Sequence, residues 1–368
     1  MLTEYGYILS EDGGFKKGRI GFDEKIRSVE FDEDIDASIG PFIIPGLIDI
    51  HTHGVTGYSF SEADPEQMRE MSLFYAKNGV TSFLATSITA EDDDILESMK
   101  NYSGFCRPEG GARGLGVNME GPFLSNEKRG AHRAELLQPP DMSLFERANE
   151  LSGNNIKLVS IAPELPGAME FIGEASKRCR VSLAHTAADY ITGIQAFENG
   201  ADHVTHLYNA INPFLSREPG IAGAAMDARA YVEIICDGIH LHPAVVRSVY
   251  RMFPGRVCMI SDSISSTGMP DGNYDLGGLP IIVKGGRSTL AADGTIAGSV
   301  ITLMDGVRNA VMFGVPMGDV VTAATINNAR SIGMDSEYGS LTPGKAADIV
   351  VLDEMLNVLK VYIGGLAG

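Results

Sequence analysis

Eight short apolar runs, separated by helix-like segments, follow one another through the middle of this chain. The runs cover residues 45–54, 79–86, 114–120, 156–164, 180–185, 201–206, 231–237 and 256–262. Amphipathic stretches such as 65–77, 144–151 and 244–253 lie between them. Because strand–helix alternation repeated eight times is typical of a closed parallel barrel, the pattern predicts an α/β chain with a (β/α)8 TIM-type barrel.

The first run ends in the sequence His51-Thr52-His53. Side chains alternate between the two faces of a strand, so residues two apart point the same way. His51 and His53 are therefore predicted to project together, a geometry suited to binding one metal ion. For a lone His-x-His pair, satisfied core or loop histidines would be the better interpretation. The metal interpretation is favoured here because other runs also end in a potential ligand.

Potential metal ligands and acids stand at the carboxyl ends of several runs. They are His51, His53, Glu120, His185, His206 and Asp262. Catalytic residues of such barrels come from this rim, since the loops that follow the strands converge there on one cavity. The sequence therefore predicts an active site at the carboxyl-terminal mouth of the barrel.

The residue types at this rim fit a divalent metal. Histidine and carboxylate without cysteine suit Zn²⁺ first, with Fe²⁺ and Mn²⁺ as alternatives. Glu120, His185 and His206 would hold one ion with a position left open for water. His51 and His53 could hold a second ion with Glu120 bridging, so one or two ions per subunit are expected.

Asp262 ends the eighth run. With a metal nearby, it would be the general base for the attacking water and then the acid for the leaving group. The alternative is that Asp262 caps the following turn, since 263–278 is predicted to be a loop rich in Gly, Ser, Asp and Pro. Its position at the end of the eighth run favours the catalytic role.

The two ends of the chain differ from its middle. With 368 residues, the chain can form a barrel of ~250 residues and a smaller module. Short alternating segments near both termini, at 5–9, 18–22, 346–352 and 358–363, are typical of strands. We therefore predict two domains. A small β-sandwich domain is made by residues 1–44 and 336–368 from the two chain ends, and the barrel is made by residues 45–335.

Acidic residues outnumber basic ones, with 48 Asp and Glu against 29 Lys and Arg and a net charge of -19. Such a field repels the phosphates of nucleic acids and anionic membranes, so neither is an expected partner. An anionic small substrate would need a local basic pocket. The absence of a signal-like N-terminus and of an apolar stretch of about 18 residues favours a cytoplasmic protein.

Several motifs give the chain a resemblance to a known family. Residues 45–54, the run ending at Asp262 and residues 339–348 resemble the amidohydrolase superfamily. Within it, the chain is similar to the N-acetylglucosamine-6-phosphate deacetylases. The segments that carry this closer similarity are 119–124, 128–132, 206–210, 237–240 and 294–299. They follow in the same order over nearly the whole length.

The resemblance implies hydrolysis of the acetamide of N-acetylglucosamine 6-phosphate. It also implies a metal at Glu120, His185 and His206, with Asp262 as acid and base. By the same matching, His132 would contact the acetamide or the sugar. The substrate contacts carried over in this way are Ala131, His132, Asn209, Ala210, Arg217 and His240.

Arg217 and His240 resemble the phosphate binders of the family, and the arginine would reach in from the partner subunit of a homodimer. Arginine and amide donors are chemically suited to phosphate. Without the resemblance, Arg217 would be interpreted as a solvated loop residue.

Members of the family vary at the first strand, where some lack the His-x-His pair and use one metal. Asn118 stands where the family often has histidine, and His242 could be a substrate or a structural contact. Two alternatives to the main prediction remain. One is another amidohydrolase, such as a deacetylase of N-acetylgalactosamine 6-phosphate. The other is a barrel without catalysis, which the presence of all the metal ligands and Asp262 disfavours.

Overall fold

The computed structural model describes residues 1–10, 12–32 and 41–367. Its centre is an eight-stranded parallel sheet in which neighbouring strands follow one another in chain order. These strands, numbered here barrel strands 1 to 8, are Leu47–Thr52, Val80–Ser87, Arg113–Met119, Ile156–Ile161, Arg180–Leu183, His203–Val204, Tyr231–Ile235 and Val257–Ile260. The (β/α)8 barrel predicted from the eight apolar runs is therefore confirmed.

Barrel strands 1 and 8 meet at their carboxyl ends. The amide of Asp262 donates to the carbonyl of His51 at 3.0 Å, and the amide of His53 donates to the carbonyl of Ser263 at 2.7 Å. Because these bonds join the first strand to the last, the residues that end the eight strands surround one opening.

Helices lie between the barrel strands and after the last of them, and several pack against the barrel. They are Pro65–Lys77, Asp92–Gly104, Met142–Leu151, Ala168–Ala175, Tyr190–Glu198, Gly220–Ala228, Pro243–Met252, Leu303–Met312, Met317–Ala323 and Ile326–Ser331, with short 3₁₀ turns at Asn126–Lys128 and Ala134–Leu136. The first begins at Pro65 because the carboxylate of Asp64 accepts hydrogen bonds from the amides of Glu66 and Gln67, each at 2.9 Å. Among the helices in the described part of the chain, none combines the length and the apolar character that crossing a bilayer requires.

Both chain ends contribute to a second sheet of seven strands. These strands are Leu2–Leu9, Phe15–Phe22, Ile26–Phe31, Phe42–Pro45, Ile349–Leu352, Val358–Ile363 and Leu366–Ala367. Ile43 joins the two ends, since it pairs with Ile8 in parallel and with Val351 in antiparallel register. All three side chains are buried in a core of this sheet's own. A small β domain made by both termini is thus confirmed, while its boundaries at 44–45 and 335–336 stay a prediction.

Short antiparallel elements follow barrel strands 1 and 8. They are a ribbon of Gly54–Val55 with Tyr58–Ser59 and a three-stranded sheet of Gly272–Leu276, Leu279–Lys284 and Arg287–Leu290. The loop predicted for 263–278 is therefore wrong in its last part. Gly277 and Gly278 have φ of 57° and 85°, the left-handed conformation that closes a two-residue hairpin. Leu276 of the hairpin belongs to the same small hydrophobic cluster as Ile88, and both line the cavity at the mouth of the barrel.

Candidate active site

The two histidines of the His-x-His motif lie side by side at the end of barrel strand 1. Both are buried, and their Nε2 atoms are 3.3 Å apart. His51 is a strand residue and His53 directly follows Thr52, the last residue of the strand. The alternation of side chains along this strand places both rings on the same side. We call them the first histidine pair.

His185 and His206 form the second histidine pair, just beyond barrel strands 5 and 6. The Nε2 atom of His206 is 3.1 Å from Nε2 of His185 and 3.2 Å from Oε1 of Glu120. The backbone φ angle is 43° at His185 and 27° at His206. This left-handed region is uncommon for residues other than glycine, and such conformations cluster at functional sites. The surrounding structure therefore holds both histidines in a backbone conformation that they would not favour alone.

Glu120, directly after barrel strand 3, contacts both histidine pairs. Its Oε1 atom lies 3.4 Å from His185 Nε2 and 3.2 Å from His206 Nε2. Its Oε2 atom lies 3.5 Å from His51 Nε2 and 3.1 Å from His53 Nε2. With either pair, Glu120 forms a group whose ligand atoms are all within 4.8 Å of one another. Imidazole nitrogen and carboxylate oxygen are common ligands of Zn²⁺ and similar ions, so each group fits a divalent cation.

Hydrogen bonds at Nδ1, on the side of the ring away from Glu120, set the orientation of His51 and His185. Nδ1 of His51 is 2.9 Å from Oε2 of Glu233, and Nδ1 of His185 donates to the carbonyl of Lys128 at 2.9 Å. Partners of this kind fix the tautomer and leave Nε2 for a metal ion.

Glu233 is a residue that sequence reasoning missed. It lies in the middle of barrel strand 7, whereas the barrel architecture predicts ligands at strand ends. It is fully buried. Burial raises its pKa, but the nearby His51 and His203 outweigh burial and lower the pKa to about 2. An acidic residue within the apolar run Tyr231–Ile235 was the available signal.

Asp262 lies next to the first histidine pair. Its Oδ1 atom is 3.3 Å from His53 Nε2 and 3.5 Å from His51 Nε2. Burial raises the pKa of Asp262, but the hydrogen bond from His53 and the charge of His51 bring it below the ordinary value. Asp262 is therefore ionised and able to accept a proton.

The carboxylates give the first histidine pair a high affinity for protons. Burial lowers the pKa of both histidines, but the opposing carboxylates outweigh it. The pKa of His51 is raised well above its ordinary value, and that of His53 to about 9. Burial raises the pKa of Glu120, yet the charge of His51 and hydrogen bonds from neighbouring histidines bring it well below the ordinary value. Protons and a metal ion therefore compete for the same nitrogen atoms.

His132 is different, because it is kept neutral. Burial, and after it the charge of His185, lowers the pKa of His132 to about 3. Its Nδ1 atom lies 2.8 Å from Oγ1 of Thr89, and its Nε2 atom lies 3.7 Å from Oε2 of Glu120. A neutral imidazole at this place can form a hydrogen bond with a substrate.

A cavity of 370 Å³ opens over both histidine pairs. The predicted substrate contacts that line it are Ala131, His132, Asn209, Ala210 and His240. Apolar lining comes from Ile88, Ile264 and Leu276. The ring of His240 is held by Asp237, whose Oδ2 is 2.7 Å from His240 Nδ1. Arg217 is exposed and lies outside the set of described residues that line this cavity.

Comparison with known proteins identifies the family. The sequence model of the amidohydrolase family matches residues 42–367. This chain belongs to the amidohydrolase family. The family resemblance inferred from the sequence motifs is thereby confirmed.

Relatives of this amidohydrolase include deacetylases of two sugar phosphates. The N-acetylglucosamine-6-phosphate deacetylase of Bacillus subtilis (strain 168) is 35% identical, over 96% of this chain and 93% of that protein. The N-acetylgalactosamine-6-phosphate deacetylase of Escherichia coli O157:H7 is 33% identical, over 99% of this chain and 96% of that protein. The structure of a Mycobacterium smegmatis N-acetyl-D-glucosamine-6-phosphate deacetylase variant in complex with N-acetyl-D-glucosamine-6-phosphate matches with a TM-score of 0.92. It is 30% identical and covers 100% of this chain and 98% of that chain.

Two further residues of this amidohydrolase have structural contacts. The side-chain amide of Asn118 donates to the carbonyl of Ile50 at 3.2 Å, a hydrogen bond that links barrel strands 3 and 1. His242 precedes the helix Pro243–Met252, and its Nδ1 accepts from the amide of Ala244 at 3.2 Å. Of the two roles that the sequence left open for His242, this contact favours the structural one.

Proposed function

We propose that this amidohydrolase hydrolyses the acetamide of N-acetyl-D-glucosamine 6-phosphate to D-glucosamine 6-phosphate and acetate. The observation that carries the proposal is the carboxylate of Glu120, shared between two histidine pairs beside Asp262 under one cavity. The names of the Bacillus and Mycobacterium relatives support this substrate class.

The site needs one or two divalent ions per chain, with Zn²⁺ as the first candidate and Fe²⁺ and Mn²⁺ as alternatives. One ion would be held by Glu120, His185 and His206, and a second by Glu120, His51 and His53. When bound, the metal supplies Lewis acidity that polarises the acetamide carbonyl and lowers the pKa of water.

Asp262 moves the proton in this proposal. Its ionised carboxylate takes a proton from the attacking water while the water oxygen bonds to the acetamide carbon. The carbon–nitrogen bond then breaks, and Asp262 returns the proton to the departing amine. One water is consumed, and the products are the amine and acetic acid, which at neutral pH are present as ammonium and acetate.

His132 would bind the acetamide oxygen or the sugar. Because this imidazole is neutral and buried, its Nε2 side can offer a hydrogen bond without adding charge to the site. A donor aimed at the oxygen where negative charge develops is among the stronger contributions to acyl-transfer catalysis.

The phosphate end of the substrate would lie near Asn209, Ala210 and His240, with Arg217 contributed by the partner subunit of a homodimer. The chain carries a net charge of -19, so an anionic substrate needs such local donors. Phe214 and Leu215, beside Arg217, are 44% and 51% exposed. An apolar exposed pair next to this arginine supports a subunit contact here.

A second candidate substrate is N-acetylgalactosamine 6-phosphate. The Escherichia relative that bears this activity in its name is nearly as similar as the Bacillus one. The cytoplasmic location expected from the sequence stays a prediction, which cell fractionation tests.

Acetate release from the two epimeric sugar phosphates and from unphosphorylated N-acetylglucosamine tests the proposal. We expect the highest kcat/KM for N-acetylglucosamine 6-phosphate and a raised KM for it in R217A. Preference for the galactosamine epimer would support the second candidate. No acetate from any of the three by metal-loaded protein would contradict both. Light scattering of R217A and wild type tests the homodimer separately.

A further inference from the structure

A buried carboxylate lies beneath the first histidine pair and has no role in the proposed reaction. Glu233 is fully buried, and its Oε2 atom lies 2.9 Å from His51 Nδ1. The same oxygen accepts a hydrogen bond from the backbone amide of His206 at 3.2 Å. Glu233 therefore contacts one residue of each histidine pair. In the first pair it contacts the ring of His51, and in the second pair only the backbone of His206.

The charge of Glu233 needs a cation nearby. Within the described part of the chain, its ion-pair partners are both histidines, with His203 Nε2 3.4 Å from Oε1 and His51 Nδ1 2.9 Å from Oε2. Burying a carboxylate without a compensating positive charge is strongly unfavourable. An imidazole that binds a metal through Nε2 is neutral, so His51 would carry no positive charge in the metal-bound state. The metal ion bound to His51 would then offset the negative charge of Glu233.

We propose that Glu233 is a positioning residue for a metal ion held by His51, His53 and Glu120. Its carboxylate accepts the Nδ1 proton of His51, which fixes the tautomer with Nε2 directed to the other ligands. A carboxylate partner also makes the imidazole a stronger ligand. The inference rests on the proposed metal-dependent function and deepens it, because it assigns the first histidine pair an ion of its own and the chain two ions.

The two pairs differ in this respect. The ring of His185 in the second pair donates to the neutral carbonyl of Lys128. Among the described residues, a charged partner at Nδ1 is therefore found only in the first pair, and removing its charge should weaken one ion only.

The test is the binding of Co²⁺ to full-length, chelator-treated protein, measured by equilibrium dialysis with elemental analysis. In E233Q the side chain keeps its size and an accepting oxygen but loses its charge. We expect two ions in wild type. In E233Q we expect one ion with unchanged affinity and a second that binds about 10–100-fold more weakly.

The matched control is S160A. Ser160 is also a buried polar residue of the barrel strands, and its hydroxyl lies 3.3 Å from that of Thr205. Because the hydroxyl of Ser160 contacts Thr205, which is not a proposed metal ligand, we expect this variant to bind two ions as wild type does.

A double-mutant cycle with H51Q separates positioning from a general structural role. If Glu233 acts through His51, then E233Q causes no further loss of Co²⁺ affinity in the H51Q background. Additive losses, or equal weakening of both ions together with a lowered thermal midpoint, would overturn the inference. So would wild-type affinity for both ions in E233Q, or a single ion in wild type. Wild-type protein that binds no Co²⁺ would instead contradict the proposed function itself.

Discussion

The two histidine pairs share Glu120 but reach it by different structural means. The first pair comes from one strand, and the ring of His51 is oriented by a buried charge. The second pair comes from two strands, has left-handed backbone at both residues, and has one ring oriented by a neutral carbonyl. From this difference we expect an ion at the first pair to depend on electrostatics, and one at the second pair to depend on the backbone conformation set by the barrel.

The largest loss of metal and activity is expected from a change at Glu120, the carboxylate that both histidine pairs contact. Glu120→Gln removes the charge that both pairs share, so both ions should be lost and acetate release should fall to background. Elemental analysis and an acetate assay on the same sample measure this. An E120Q protein that keeps both ions would show that the pairs do not depend on a shared carboxylate.

Asp262→Asn should reduce kcat by about 10²–10⁴-fold, the usual contribution of a positioned acid or base. The metal content should stay near that of wild type, since Asp262 is proposed to transfer protons and belongs to neither proposed metal group. Near-normal turnover of D262N with full metal content would contradict this role.

His132→Gln should lower kcat by about 10²–10³-fold if its ring stabilises the developing oxyanion. Because His132 is not needed to hold either ion in this account, metal binding should be unchanged. Loss of metal from H132Q would mean that this residue belongs with the ligands. A change in KM alone would indicate sugar binding.

The smallest expected effect is on stability and concerns the first pair. The pKa of His53 is raised from 6.5 to about 9 in the folded chain. Protonated His53 therefore stabilises the metal-free protein fully below pH 6.5, and this contribution is lost as the pH rises towards 9. Thermal unfolding of chelator-treated protein should show falling stability across this window, with a weaker slope in H53Q. An equal slope in wild type and H53Q would contradict the assignment.

Sequence reasoning was strongest where local patterns decide the structure. The eight apolar runs predicted the barrel, because a parallel strand buried on both faces is apolar along most of its length. The His-x-His spacing correctly predicted two rings on one side of a strand. The hairpin after Gly272 was missed because the glycines that permit its turn are equally typical of a loop.

The contacts that orient the proposed metal ligands could not be predicted in the same way. Glu233 contacts His51, which is 182 positions away in the chain, and no local spacing indicates such a contact. The left-handed backbone at His185 and His206 is likewise set by tertiary structure, since histidine alone does not favour it. The role of Arg217 depends on a subunit contact that a single chain does not contain.

The most direct test measures metal content and acetate release from N-acetylglucosamine 6-phosphate on one sample. Both are determined as purified, after chelation, and after stepwise return of Zn²⁺ or Co²⁺. We expect chelation to remove the metal and the activity together, and returned metal to restore both. Full acetate release by protein shown to be free of metal would contradict it.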